Sequence, residues 1–276
     1  MDDKYLKGRA AMVTGGASGQ GRAIALALAK AGAAVAIGSL TTRNAKPLPR
    51  EDGYYPRADA LETTRKELAA LGVRAIACDL DVRSDDSVQA FHDAAVNAFG
   101  KVDILTNAAG ICSEMPICGH TDEMWHKIID VNLNGYYRTI KRCLPGMIER
   151  KWGRIVNIAS TAASVGAKDN AAYCASKAAI LGLTRCVALE GAPHGVSCNA
   201  ISPGFVDTGM ADLSIRSAAA MKGQTPEKFR AEAIAGLPQK RFIQPDEIGA
   251  LAAFLCRDEA FGITTENITV AAGSLW

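Results

Sequence analysis

Long apolar runs are missing from this 276-residue chain: no stretch of about 18 uncharged apolar residues occurs, so no membrane span is expected. The opening Met1, Asp2, Asp3, Lys4 is acidic where a secretory leader would be basic and then apolar, and no signal peptide is expected. Histidine is scarce, at four residues, and none stands with cysteine at metal-ligand spacing. The eight cysteines (Cys78, Cys112, Cys118, Cys143, Cys174, Cys186, Cys198 and Cys256) form no CxxC pair. A structural zinc site is thereby excluded, and a reduced, cytoplasmic protein without bound metal is expected. Charge of one sign is also lacking, with 31 Lys and Arg against 29 Asp and Glu, a net charge of +2 and no long basic block. Neither nucleic acid nor an anionic membrane is an expected partner, which leaves a small molecule. No repeat or low-complexity tract interrupts the chain.

What is present is apolar and regularly spaced. Hydrophobic residues make up 49% of the sequence, enough for a sizeable core. Strand-like runs are expected at Ala10–Val13, Ala34–Ile37, Arg74–Cys78, Ile104–Thr106, Ile155–Ile158, Ser197–Ile201 and Asn267–Val270, with helical stretches between them. Strands apolar on both faces and joined by helices predict an α/β fold, a single doubly wound Rossmann-type domain over residues 1–276. Its central parallel sheet would have about seven strands, covered by helices on both faces. Two segments break the alternation: Thr41–Arg57, rich in Pro, Arg and Gly, and Thr208–Pro238, a helical pattern between proline and glycine breakers. Both read as insertions at one edge of the sheet, placed to cover a ligand.

The first strand runs directly into Thr14, Gly15, Gly16, Ala17, Ser18, Gly19, Gln20, Gly21, followed by a helix-forming run from Arg22 to Ala31. Glycine lets the backbone approach a pyrophosphate, and the amides and dipole of a helix start favour its charge. Tight turns also need glycine; the position between strand and helix is what favours a dinucleotide.

Farther along, Tyr173 and Lys177 stand four residues apart, with Ser160 thirteen residues upstream of the tyrosine. On a helix that spacing puts phenol and ammonium on one face. A tyrosine titrating near 10 needs a shift of roughly 3 units, about 4 kcal/mol, to exchange protons near neutrality. A positive charge about 5 Å away supplies about 3 kcal/mol at an effective dielectric near 20. Taken alone, the pair is also what an ordinary helix with a solvated lysine would contain.

The ordered set TGxxxGxG, the Asp81 and Val82 pair, the Asn107, Ala108, Ala109, Gly110 turn, Asn132, Ser160, the YxxSK stretch ending at Lys177, and Pro203 with Gly204 resembles the classical short-chain dehydrogenase/reductase family over essentially the whole chain. The resemblance implies an NAD(P)(H)-dependent oxidoreductase that interconverts a secondary alcohol and a ketone. Tyr173 would be the general acid and base, and Lys177 would hold Tyr173 partly ionised and bind the nicotinamide ribose. Ser160 would bind the substrate oxygen, and Asn132 would interrupt a helix and hold a water. The cofactor would lie on Gly15, Ser18, Gly19, Gln20 and Gly21, with Asp81 and Val82 beside adenine and Asn107, Ala108 and Gly110 near the ribose and central sheet. Tyr173 and Lys177, with Pro203, Gly204, Val206 and Thr208, would meet its nicotinamide side. Departures from the family pattern are Gln20 in the glycine turn, Ala108 in NAAG, and Glu266, Ala271 and Ala272 near the end.

At the end of the second strand, where a carboxylate would bind the adenosine 2′-hydroxyl, the chain has Ser39 with Arg43 nearby. That points to NADP(H), with NAD(H) the alternative. The substrate cleft is expected among Ile111–Ile117, Ser164–Asp169 and Thr208–Pro238, whose mixture of Met115, Leu213, Met221 and Phe229 with Lys168, Asp169 and Arg216 names no substrate. A rival enzyme reading is a 3-oxoacyl-acyl-carrier-protein reductase: Arg138 matches one basic docking position, whereas Leu189 occupies the other. A rival of another class is a non-catalytic dinucleotide-binding regulator, against which the intact Asn132, Ser160, Tyr173 and Lys177 count. The resemblance also implies a homotetramer paired through helices near Asp122–Arg150 and Ala171–Glu190, and Leu275 with Trp276 could tuck into a neighbouring subunit.

Overall fold

The computed structural model describes residues 4–46 and 54–274, so the expectation for Leu275 and Trp276 lies outside the described residues, as does part of the Thr41–Arg57 insertion. The strands are β1 (Ala10–Thr14), β2 (Ala34–Ser39), β3 (Ala75–Asp79), β4 (Ile104–Asn107), β5 (Gly153–Ile158), β6 (Val196–Pro203) and β7 (Asn267–Val270). Every expected strand is present, with ends shifted by up to two residues. The helices are α1 (Gly19–Lys30), α2 (Ala60–Ala70), α3 (Asp85–Phe99), α4 (Asp122–Ile129) and α5 (Gly135–Glu149), then α6 (Ala171–Gly191), α7 (Gly209–Met221), α8 (Pro226–Gly236) and α9 (Pro245–Leu255).

The strands form one seven-stranded sheet in the order β3-β2-β1-β4-β5-β6-β7, and every neighbouring pair is parallel. Alternate residues of each central strand feed two cores. Val13, Val35, Ile37 and Ile104 pack with Ile24 and Leu28 of α1 and Ile248 of α9. Met12, Ala36, Leu105 and Ile155 pack with Val88 and Phe91 of α3 and Ile140 and Met147 of α5. Burial on both faces is why these strands are continuous apolar runs.

The chain builds outward from β1 to β3 and then returns to β4 beside β1. That reversal opens a crevice at the carboxyl ends of β1 and β4, the place where doubly wound sheets bind ligands. Thr14 at the end of β1 closes its floor, because its Oγ1 accepts from the amides of Ala108 at 3.1 Å and Ala109 at 3.2 Å.

Among the described residues one helical stretch, Ala171–His194, is long and apolar enough by length and composition to cross a membrane. The same stretch includes α6, which has Tyr173, buried Lys177 and Arg185 along it and packs Ile180 and Leu181 against Ala159 and Ala200 of the sheet region.

Candidate active site

The glycine turn sits where the crevice opens. Gly15 has φ of 70°, and a Cβ there would lie 2.8 Å from the Ala109 amide nitrogen; a Cβ on Gly21 would strike the Gly15 carbonyl. Both positions are glycine because two backbone segments meet there. Gly15, Ser18, Gly19, Gln20 and Gly21 line the cleft together with Ser39, Asp81, Val82, Ala108, Gly110 and Thr208. The Gln20 side-chain oxygen is buried with no hydrogen-bond partner among the described residues, facing a ligand-sized space. A cradle without side chains at a helix start, with an unmatched amide oxygen at its edge, fits a dinucleotide.

The remaining expected cofactor residues are placed differently. Asn107 is fully buried beneath the cleft: its Nδ2 donates to Asn157 Oδ1 at 2.9 Å, and its Oδ1 accepts from Thr139 Oγ1 at 2.6 Å. Its carboxamide therefore ties β4 to β5 and α5 rather than reaching a ribose, because a buried amide must satisfy its groups within the protein. Arg43 is exposed on the turn after β2 and is not among the residues that line the cleft. Ser39 does line it, but its hydroxyl accepts from the Ala17 amide at 3.1 Å, holding the glycine turn. Pro203, Gly204 and Val206 stand behind the cleft wall: the Gly204 amide donates to Val270 at 2.9 Å, and Val206 bridges to Ile243. Thr208 caps α7, accepting from the Ala211 amide at 3.4 Å.

Arg83 is among the cleft residues that were not anticipated, and Tyr54, Tyr55 and Pro56 were anticipated only as part of the ligand-covering insertion. Arg83 clasps the Asp81 carboxylate, with Nη2 to Oδ2 at 2.7 Å and Nε to Oδ1 at 2.9 Å. Burial alone would raise the Asp81 carboxyl, but the Arg83 guanidinium and amide outweigh it and hold it below the usual range. Tyr54, Tyr55 and Pro56 come from the end of the insertion and line the cleft opposite the glycine turn. The insertion is closed by the Thr42 amide on the Pro56 carbonyl at 2.9 Å, and Lys127 of α4 lies over the Tyr55 ring at 5.9 Å. The only signal in the sequence was an aromatic pair in an otherwise Pro, Arg and Gly segment.

Behind Gly110, which lines the cleft and would carry a Cβ 3.6 Å from the Lys177 Nζ, the catalytic candidates converge. Ser160 follows β5, is buried, accepts from the Ala162 amide at 3.1 Å, and stands close enough to the Tyr173 phenol to favour its ionised form. Tyr173 and Lys177 lie on α6 as the spacing requires, with the Lys177 Nζ 5.6 Å from the Tyr173 ring centre. The same Nζ donates to the Ile158 carbonyl at 2.7 Å and lies 5.6 Å from the ring of Tyr136.

Asn132 does interrupt a helix: Asp130–Asn134 is a π-helical turn between α4 and α5. Its carboxamide is fully occupied, accepting from the Ile111 amide at 2.9 Å and donating to the Ile111 carbonyl at 2.9 Å and Ser176 Oγ at 3.1 Å. It therefore locks the loop after β4 onto α6.

Electrostatics at this end correct the charge arithmetic. Burial pushes the Tyr173 phenol well above its usual value, the nearby Cys112 adds to the rise, and the Ser160 hydrogen bond opposes it. Burial brings Lys177 down to about 7. The ammonium's pull was counted without desolvation, which acts on both groups and is the larger effect in the ligand-free protein. Cys112 and Cys174 flank Tyr173; Cys112 is buried, its thiol donates to Asn170 Oδ1 at 3.0 Å, and burial raises it. All eight cysteines are free thiols.

The expected substrate walls are present as the loop after β4, the segment before α6, and α7 with α8. Ile111 is buried beside Met124 and Ala172, whereas Met221 is 52% exposed and Phe229 packs against the core next to Lys222. Lys168 and Arg216 are exposed.

Comparison with known proteins agrees with this geometry. The family model described as enoyl-(acyl carrier protein) reductase matches residues 15–274. The 3-oxoacyl-acyl-carrier-protein reductase of Vibrio cholerae is 35% identical over 97% of this chain and 98% of its own. Among solved structures, a variant of actinorhodin polyketide ketoreductase with NADPH superposes with a TM-score of 0.87 at 35% identity, covering 96% of each chain. Levodione reductase superposes with a TM-score of 0.86 at 28% identity, covering 97% of each. A parallel sheet with its glycine turn at the switch point, Tyr173 and Lys177 on one helix face beside Ser160, and likeness along the full length lead to one conclusion: the chain belongs to the classical short-chain dehydrogenase/reductase family and is an oxidoreductase of alcohol and ketone groups that uses a nicotinamide dinucleotide.

Proposed function

We propose that this enzyme interconverts a small-molecule ketone and a secondary alcohol with Tyr173 as proton donor and acceptor and with NADP(H) preferred over NAD(H). The observation that carries the reading is Tyr173 beside Ser160, its ring centre 5.6 Å from the Lys177 Nζ, next to Gly110 at the edge of a cleft that the bare glycine cradle also lines. The bound dinucleotide supplies or accepts the hydride. Gly15, Gly19 and Gly21 give its phosphates backbone amides, and Val82 with Arg83 forms the wall at the adenine end. Ser160 orients the substrate oxygen toward Tyr173, which gives it a proton in reduction and takes one in oxidation. Lys177, joined to Tyr173 through the same buried pocket, steadies the phenolate when the proton leaves. Asn132 and Ser176 hold the surrounding loop and helix in register. A panel of ketones and alcohols followed with NADPH, NADH and their oxidised forms tests the reading; dinucleotide binding without turnover on any of them would support the regulator instead.

The NADP(H) preference rests on Ser39 in place of a carboxylate, with Arg83 lining the same cleft, and on the relative solved with NADPH. Ser39→Asp is expected to shift the ratio of kcat/KM for NADPH over NADH by at least about 10-fold toward NADH, since a carboxylate there repels a 2′-phosphate and accepts from a 2′-hydroxyl. An unchanged ratio in steady-state assays would remove this basis.

The 3-oxoacyl-acyl-carrier-protein reductase reading is kept second on the strength of the Vibrio cholerae relative. Against it, Arg138 already pairs with Asp130 at 2.8 Å and bonds the Val82 carbonyl at 3.2 Å, and Leu189 is 69% exposed and apolar where an acidic carrier would need charge.

A homotetramer and a cytoplasmic location complete the proposal, the latter supported by the free thiols. Tyr137 on α5 is 50% exposed and Leu189 on α6 is 69% exposed, apolar surface that pairing of these helices between copies would cover. Tyr137→Glu combined with Leu189→Glu should lower the mass seen by light scattering below four subunits; an unchanged tetramer would place the interface elsewhere.

A further inference from the structure

Glu114 lies three residues beyond Ile111 on the loop leaving β4, where side chains from the insertion, the segment before α6 and α7 come together. The loop is pinned there: the Met115 amide donates to the Asp169 carbonyl at 2.7 Å, and Asp169 takes a left-handed φ of 64° to present it. Tyr54 returns from the insertion to the same place, packs beside Ile111, Met124 and Ile128, and has its phenol close to the Cys112 backbone. That phenol lies within electrostatic reach of Glu114, Cys112 and Tyr173. From α7 the hydroxyls of Ser214 and Ser217 face the Glu114 carboxyl group. Even so, Oε2 of Glu114 is buried with no hydrogen-bond partner among the described residues.

A buried carboxylate oxygen left without a donor is costly, and such groups persist where a ligand completes them. Burial raises this carboxyl above its usual value, Ser217 and Ser214 oppose the rise, and Asp169 adds to it. A donor that brought a hydrogen bond or a positive charge would relieve both the missing partner and the desolvation. A carboxylate brought to the same place would meet the like charges of Glu114 and Asp169.

We propose that Glu114 Oε2 is the acceptor for a hydroxyl or ammonium donor carried by the substrate, so that the enzyme selects ketones and alcohols bearing such a donor away from the reacting carbon and rejects carboxylates. This rests on the ketone and alcohol reading above and names the substrate class that the same site takes. Tyr54, coming from the opposite side, gives the donor-bearing end a second polar neighbour, and Ile111 and Met124 provide apolar walls for the carbon frame.

The test measures kcat/KM with NADPH for cyclohexanone, 4-hydroxycyclohexanone, 4-aminocyclohexanone and 4-oxocyclohexanecarboxylate, in wild type, Glu114→Gln and Glu114→Leu. Wild type is expected to favour the hydroxyl and ammonium ketones over cyclohexanone by at least about 10-fold and to disfavour the carboxylate. Glu114→Gln, nearly isosteric, should lose most of the ammonium preference while keeping part of the hydroxyl preference; Glu114→Leu should lose both. The hydroxyl and ammonium arms identify which donor is the better match. Equal kcat/KM for all four ketones in wild type would overturn the subsite while leaving the enzyme reading intact. Unchanged ratios in both variants would do the same and reduce Glu114 to a brace for α7. Reduction of none of the four by wild type would remove the ketone reading and the subsite together.

Discussion

Tyr173→Phe is expected to lower kcat by about 10³-fold, roughly 4 kcal/mol of barrier, with NADPH affinity changed no more than a few-fold. The substitution keeps the ring carried by α6 and deletes only the hydroxyl beside Ser160. The cleft lining lies mainly on the turns after β1, β2, β3 and β4 and on the start of α7, and Tyr173 is not part of it. Binding and chemistry therefore separate at this residue. Steady-state rates in both directions, with a fluorescence titration of NADPH, provide the check. Turnover within about 10-fold of wild type would move the proton donor to another group, and the buried Cys112 thiol is too weak an acid to be the obvious replacement.

Lys177→Met is expected to abolish turnover to a similar degree while stabilising the ligand-free protein at low pH. The folded-state value is about 7 against the ordinary 10.5, a depression of about 3.5 units. That corresponds to an upper bound of about 5 kcal/mol. The sign follows from proton uptake: between about pH 7 and 10.5 the unfolded chain binds the extra proton, so stability rises with pH across that window. Below about pH 7 both states are protonated and the burial cost is present in full.

Methionine removes that cost, and the Ile158 carbonyl keeps a donor in the Tyr136 hydroxyl at 3.1 Å. The ligand-free variant should therefore melt several degrees above wild type at pH 6, an advantage that narrows by pH 9. A variant less stable than wild type at pH 6, or a difference independent of pH, would show that the ammonium is better solvated in its pocket than its burial implies.

Local features were legible before any fold was known. The glycine turn needs only a strand, a helix and close backbone approach, all within residues 10–31, and Gly15 and Gly21 are glycine for contacts made inside that unit and with the adjoining Ala109 turn. Tyr173 and Lys177 share a face because helix geometry fixes four-residue neighbours. The strands were readable because burial on both faces leaves a nearly pure apolar run. Other features depended on segments distant in the chain. Asn107 looked like a ribose ligand until Asn157 and Thr139 were brought beside it. Arg43, close in sequence to the cofactor end, stands outside the cleft, while Arg83, forty residues later, lines it beside Asp81.

By itself the sequence determined the parallel sheet, the dinucleotide turn and the acid and base pair, since each follows from spacing within one or two adjoining elements. Tertiary structure decided what those groups experience and what they face. Desolvation by α6 and the sheet turned a simple ammonium and phenol attraction into a buried pair with Lys177 near 7. Packing of the insertion, the loop after β4 and α7 brought Tyr54, Ser214 and Ser217 near Glu114. Such neighbours come from separations of many tens of residues, and no periodicity records them, because burial and long-range contact are properties of the closed fold rather than of any segment in it.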